Sequence, residues 1–143
     1  MLLAVFIFSP VWPDIHESGL HRQTVLLRWP VLVLTWSAAT ALGGFGSRQL
    51  KEFLTPLPYP ADHNQLVTKG GYRLVRHPLY GSQLIAAFGW TVFALSLSHL
   101  LLLVTGFLFF SFKASKEEQW LTQRHPEYRD YAKRVKTFIP WIY

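Results

Sequence analysis

Cysteine is absent from the 143 residues. Its absence excludes a disulfide-stapled fold and any thiolate-held zinc or iron–sulfur centre. Charge is scarce as well. Asp, Glu, Lys and Arg together make up 15%, against about 25% in ordinary soluble domains. The six histidines (His16, His21, His63, His77, His99 and His125) contain no H-x-x-x-H or H-E-x-x-H pair, so a helical zinc site is not indicated. No G-x-S-x-G is present, which leaves a serine hydrolase without its nucleophile turn. The Gly43-Gly44-Phe45-Gly46 cluster lacks the Gly-Lys-Ser/Thr of a phosphate loop.

What is there instead is apolar: 50% hydrophobic and 16% aromatic. A disordered tail needs the opposite composition. The length suits one domain. Net charge is +6, from 14 basic and 8 acidic residues, but few nucleic-acid binders are this apolar, and no nucleic-acid partner is expected.

The longest absence is decisive. No Asp, Glu, Lys or Arg occurs in the 36 residues from His77 to Phe112. As one helix they would reach about 54 Å, while the hydrocarbon core is about 30 Å thick. Two short crossings fit, broken at Ser96-Leu97-Ser98-His99. The sequence therefore predicts helices over 79–97 and 99–116, joined by a very tight turn. A further crossing is read over 25–46, with Arg28 snorkelling and Pro30 tolerated in its first turns. Its small residues, from Ser37 to Gly44, suit close helix approach in lipid. Residues 1–12 are apolar but short, a brief or partial crossing. The fold class is thus all-α: a polytopic membrane protein of 3–4 transmembrane helices with a tight C-terminal helical hairpin, forming a single domain over 1–143. A bundle this thin leaves room for a homodimer.

Twelve of the 14 basic residues fall in 47–78 or at and after Lys113. The positive-inside rule puts that loop and the 117–143 tail in the cytoplasm, and the expected location is the cytoplasmic (inner) membrane, with the site and the C-terminus on the cytoplasmic side. In the loop, proline at every second position from Pro56 to Pro60 predicts an extended stretch, and Gly70-Gly71 a turn. In the tail, His125-Pro126-Glu127 reads as a helix start, with Tyr128, Tyr131 and Val135 on one face. The aromatic end, Phe138 to Tyr143, suits a lipid headgroup boundary.

Two clusters carry chemistry. Arg76-His77-Pro78-Leu79-Tyr80 stands where the loop enters the lipid. Pro78 fits a first helical turn, whose free N–H groups suit an anion; the plainer reading is a cap, a snorkelling Arg and an interfacial Tyr. Glu117-Glu118 lies at the far end of the hairpin, which returns it toward His77. Ser115 to Glu118 also has capping-box spacing, so a helix start is the alternative there. Lys113 lies one turn before Glu117 on the same face.

These pieces together resemble the isoprenylcysteine carboxyl methyltransferase family, with the phospholipid N-methyltransferases as close relatives. The resemblance runs over 47–143: Leu66-Val67-Thr68-Lys69-Gly70-Gly71-Tyr72, then Val75-Arg76-His77-Pro78-Leu79-Tyr80-Gly81, the Glu pair, Glu127-Tyr128-Arg129-Asp130-Tyr131 and Pro140. It implies S-adenosylmethionine as cofactor, held at the cytoplasmic face. The matching positions are Asn64, Gln65, Leu66, Val67, Tyr72, His77, Pro78, Leu79, Tyr80 and Glu117. Lys113 stands where carboxyl methyltransferases place a substrate-binding Arg; it keeps the charge but loses the fork. Lys113 and Arg76 are the candidate substrate-binding residues, and no catalytic base is assigned. The implied activity is methyl transfer to a lipophilic acceptor: a prenylcysteine-like carboxylate, a phospholipid amine or a small hydrophobic molecule. An NADPH-dependent sterol-reductase-like enzyme and a non-catalytic membrane protein of the same fold are the alternatives.

Overall fold

The computed structural model describes residues 2–12, 19–51, 66, 68–140 and 142. Among the described residues six helices follow in order: α1 (Leu2–Phe8), α2 (Gly19–Lys51), α3 (Gly71–Leu74), α4 (Pro78–Ala94), α5 (Leu97–Arg124) and α6 (Tyr128–Arg134). No named strand occurs among the described residues. The Pro-rich stretch of the loop lies outside them.

Among the described residues two helices contain spans long and apolar enough to cross a membrane, Gln23–Arg48 and Leu97–Arg124. Their apolar side chains face outward: Leu26, Leu34, Leu101 and Phe112 are all exposed. A water-soluble protein rarely leaves this much contiguous apolar surface uncovered. At 17 residues α4 is about 26 Å long, just short of a full hydrocarbon crossing.

Helix bounds differ from expectation for readable reasons. α2 runs from Gly19 to Lys51, longer than 25–46, because neither the glycine cluster nor Ser47-Arg48 supplies a stop. The reversal between α4 and α5 falls at Leu95-Ser96, where Leu95 takes a left-handed φ of 46° and Ser96 stands at the N-cap. α4 thus ends three residues before the expected 97, and α5 starts two residues before the expected 99. α5 continues unbroken through Glu117 and Glu118 to Arg124; the capping-box reading at Ser115 is therefore overturned, and the helix does not end at Lys116.

The end of the bundle away from His77 is clasped by α1 and the residues after it. Trp12 O accepts from the Leu97 and Ser98 N–H groups, and His99 Nε2 lies 2.9 Å from Phe6 O. α1 has 7 residues, about 10 Å of helix. Arg28 does not snorkel. It is buried, and its Nη1 donates to Phe93 O at 2.6 Å, putting a cation at the negative end of the α4 dipole.

The opposite end is set by close backbone approach. A Cβ at Gly46 would lie 2.9 Å from Pro78 Cγ, and one at Gly71 would lie 3.0 Å from Gly46 N. Glycine at these two places lets α2, α3 and the start of α4 converge.

Candidate functional site

The site begins with the turn that leads into α4. Gly70 has φ 59°, a conformation glycine adopts without strain, and it starts the single turn of α3. The chain then becomes extended and pairs with the C-terminal segment. Arg76 N donates to Lys136 O at 2.7 Å and His77 N to Thr137 O at 3.0 Å, around a parallel bridge between Val75 and Lys136. His77 stands at the N-cap of α4 with Pro78 behind it, as the R-H-P order implies, and its carbonyl accepts from Gly81 N.

The reversal at Leu95-Ser96 brings α5 back alongside, so the two clusters meet across about forty residues of sequence. His77 Nε2 is 3.0 Å from Glu118 Oε1, and its Nδ1 is 3.6 Å from Glu117 Oε2. Tyr80 O–H donates to Glu117 Oε1 at 2.7 Å. The His77 ring stacks on Tyr80, centroids 5.5 Å apart, and Tyr80 stacks on Phe110 at 4.8 Å. Lys113 Nζ lies 5.3 Å from the Tyr80 ring centroid. The adjacent carboxylates thus take different surroundings. Glu118 turns inward to a histidine and an arginine; Glu117 is more exposed, at 41% of its side chain against 22%.

Arg76 points into the protein. Its Nε and Nη2 donate to the two Glu118 oxygens at 2.8 and 3.2 Å, and Nη2 also to Thr137 Oγ1 at 2.9 Å. Its Nη1 donates to Ala132 O and Val135 O at 2.8 and 2.7 Å. Guanidinium has five N–H bonds, and these five contacts engage all of them.

The C-terminal segment closes the underside. Phe138, placed by the sequence reading at a headgroup boundary, is fully buried instead, edge-on to His77 and Phe107. The reason is the pairing of 136–137 with 76–77, which leaves Phe138 no way to face lipid. A Cβ at Gly81 would come within 2.6 Å of Phe138 O, so only glycine accepts this strap. Tyr131 O–H donates to Tyr72 O and ties α6 to α3. Burial first, then the charge of Glu117, holds the Tyr72 hydroxyl above its ordinary range.

A cavity of about 240 Å³ opens at the junction, lined by Tyr72, His77, Pro78, Leu79, Tyr80 and Glu117. Six of the ten positions anticipated for a cofactor line it. Leu66 is half-buried and does not. Asn64, Gln65 and Val67 lie outside the described residues. The sequence reading singled out the Glu117-Glu118 pair but gave a site role only to Glu117, and it gave none to Gly81, Thr137 or Phe138. Adjacency to Glu117 was the available signal for Glu118; the strap residues carried none.

Comparison with known proteins bears on this geometry. A stretch of 83 residues is 39% identical to a probable protein-S-isoprenylcysteine O-methyltransferase of Oryza sativa, covering 57% of this chain and 44% of the relative. The protein-S-isoprenylcysteine O-methyltransferase B of Arabidopsis thaliana is 34% identical over 83 residues, 57% of this chain and 42% of that protein. The cobalt-zinc-cadmium resistance protein CzcN of Cupriavidus metallidurans is 35% identical over 79 residues, 54% of this chain and 37% of that protein. The chain thus spans less than half the length of these relatives. No solved structure matches. The phospholipid methyltransferase family model matches residues 23–128, which is most of the chain, and the chain belongs to that family.

Proposed function

We propose that the chain is an integral membrane methyltransferase that moves a methyl group from S-adenosylmethionine to a lipophilic acceptor. The observation that carries the reading is the convergence of His77, Tyr80 and Glu117 around one cavity, in a chain of a methyltransferase family.

The donor set fits the cofactor. S-adenosylmethionine carries a carboxylate, an ammonium and a sulfonium. Glu117 offers a partly exposed carboxylate to the cationic groups. The first turn of α4 offers the N–H groups of Leu79 and Tyr80, which have no partner inside the helix, to an anionic one. The cavity is smaller than the roughly 300 Å³ at which whole-ligand pockets begin, so it takes one end of such a molecule. When bound, the cofactor supplies an electrophilic methyl group. The residues around it position and exclude water, which is most of what a direct displacement requires.

Lys113, beside the Tyr80 ring, is assigned to the polar end of the acceptor. Arg76 is assigned to positioning rather than to substrate, because its N–H groups are spent on Glu118 and the strap. The positive-inside argument puts this end of the bundle in the cytoplasm, with α4 and α5 as a membrane hairpin and the lipophilic acceptor arriving from the bilayer.

Calorimetric titration of S-adenosylhomocysteine into the purified protein in detergent tests the reading. Wild type binds, and His77→Ala and Glu117→Gln each weaken binding about tenfold. Absence of binding to folded wild type overturns the cofactor assignment.

A further inference from the structure

Helix α5 is longer than one crossing needs. Its 28 residues span about 42 Å, against about 30 Å of hydrocarbon and about 40–45 Å for a bilayer with its headgroups. With Leu97 at one hydrocarbon boundary, the other falls near Lys116. The two turns that follow, to Arg124, then lie at headgroup level.

These turns have two different faces. Inward, Glu117 and Glu118 hold Tyr80, His77 and Arg76. Outward, Phe112, Lys116, Trp120 and Arg124 follow at steps of four, with Gln119 and Gln123 alongside, and all six are exposed. Such spacing makes one slanting stripe along the helix. Its polar groups (ammonium, amide, indole and guanidinium) are all hydrogen-bond donors, and none is an acid.

The two cations on the stripe are held in place. Lys116 Nζ lies 5.6 Å from the Phe112 ring centroid, and Arg124 Cζ lies 4.7 Å from that of Trp120. Each charge is thus turned one helical turn back, over an aromatic ring that is itself exposed, Phe112 at 66% and Trp120 at 46%. A snorkelling side chain would reach the other way, toward water. Ring faces favour a cation but do not neutralise it. Among the described residues neither Lys116 nor Arg124 forms an ion pair, whereas Arg76 is matched by Glu118 and Lys133 by Asp130.

Two unmatched cations at this depth complement an anion, and the anion a bilayer offers there is a lipid phosphate. The missing acid makes the choice narrower. A zwitterionic headgroup brings an ammonium as well as a phosphate, and the stripe has no carboxylate to receive it.

We infer that the outward stripe of α5 binds the headgroup of an anionic phospholipid through Lys116 and Arg124, with Gln119, Trp120 and Gln123 as further donors. The stripe shares no residue with the lining of the His77–Glu117 cavity, so this lipid is a bound partner and not the methyl acceptor. The inference rests on the membrane placement in the proposed function, but not on methyl transfer.

Native mass spectrometry of the full chain tests it, with the protein released from detergent containing phosphatidylglycerol or phosphatidylcholine of the same acyl chains. Phosphatidylglycerol binds more tightly. Lys116→Gln and Arg124→Gln each weaken its binding about fivefold, the factor for one interfacial cation, and leave phosphatidylcholine binding unchanged. Lys116→Arg keeps the preference, which separates a site that reads charge from a folding defect. Arg129→Gln removes an equal charge from α6 and has no effect. Soluble glycerol phosphate does not displace the lipid. Equal affinity for the two lipids, an equal loss in Arg129→Gln, or displacement by glycerol phosphate overturns the inference. So does a lipid-independent dimer that is lost in Lys116→Gln, since a second copy would then cover the stripe. S-adenosylhomocysteine affinity on the same preparation reads the proposed function separately: its absence, with the lipid preference intact, overturns the cofactor assignment alone.

Discussion

Arg76 and Glu118 meet as a fork, Nε to Oε1 at 2.8 Å and Nη2 to Oε2 at 3.2 Å. The same guanidinium reaches Ala132, Val135 and Thr137, and the same carboxylate reaches His77. One ion pair therefore joins the loop, α5 and the C-terminal strap beneath the cavity. Both side chains are largely shielded, at 13% and 22% exposure, so removing one partner strands the other.

Arg76→Ala is expected to cost about 3 kcal/mol of stability, read as a lowered melting temperature in detergent without any ligand. Arg76→Lys recovers less than half of it, because an ammonium cannot form the fork. An unchanged melting temperature in Arg76→Ala would show that the pair is not holding the strap.

Glu117 and Glu118 are expected to separate by phenotype. Glu118→Gln lowers the melting temperature, since it takes the counter-charge from Arg76 and the partner from His77. Glu117→Gln leaves the melting temperature within a degree or two and weakens S-adenosylhomocysteine binding about tenfold. Thermal melts and calorimetry on both variants check this; a reversed pattern would exchange their roles.

Gly81→Ala places a methyl group against Phe138 O. The strap must move, at a cost of about 1–3 kcal/mol, and His77, whose N–H pairs with Thr137, moves with it. Reduced stability together with weaker S-adenosylhomocysteine binding is expected. Proteolysis at the C-terminal segment, monitored by mass spectrometry, reports the loosened strap; wild-type resistance with wild-type affinity would contradict it.

Alkaline pH provides a separate check. Tyr72, Tyr128 and Tyr131 are all held above the ordinary value of 10.0, burial being the main cause in each. Their folded pKa exceeds the unfolded one, so this stabilisation is complete below about pH 10 and is lost as pH rises toward the folded values. Tyrosinate absorbance from these residues should rise together with loss of helicity. Complete titration near pH 10 with the helices intact would contradict the packing of α3 against α6.

The sequence made the all-helical fold and the meeting of His77 with the Glu pair readable, because an uncharged run longer than one crossing has few ways to fold. His77, Tyr80 and Glu117 followed from motif order. Three things were hidden. Adjacent glutamates look alike in sequence, and only the α5 face each occupies separates Glu118 from Glu117. Arg76 looked available for substrate because nothing local shows that residues 132–137 return to occupy it. Phe138 looked interfacial because aromatic ends usually are; its burial depends on a two-residue backbone pairing with no pattern of its own.

The most direct test of methyl transfer is label transfer. Purified protein in nanodiscs is given S-adenosylmethionine with an isotopically labelled methyl group and a total membrane lipid extract, and the organic phase is analysed by mass spectrometry. The account predicts labelled methyl in a lipid-soluble product, strongly reduced in Glu117→Gln. A folded protein that binds S-adenosylhomocysteine yet leaves the organic phase unlabelled, across lipid and prenylcysteine acceptors alike, would contradict it.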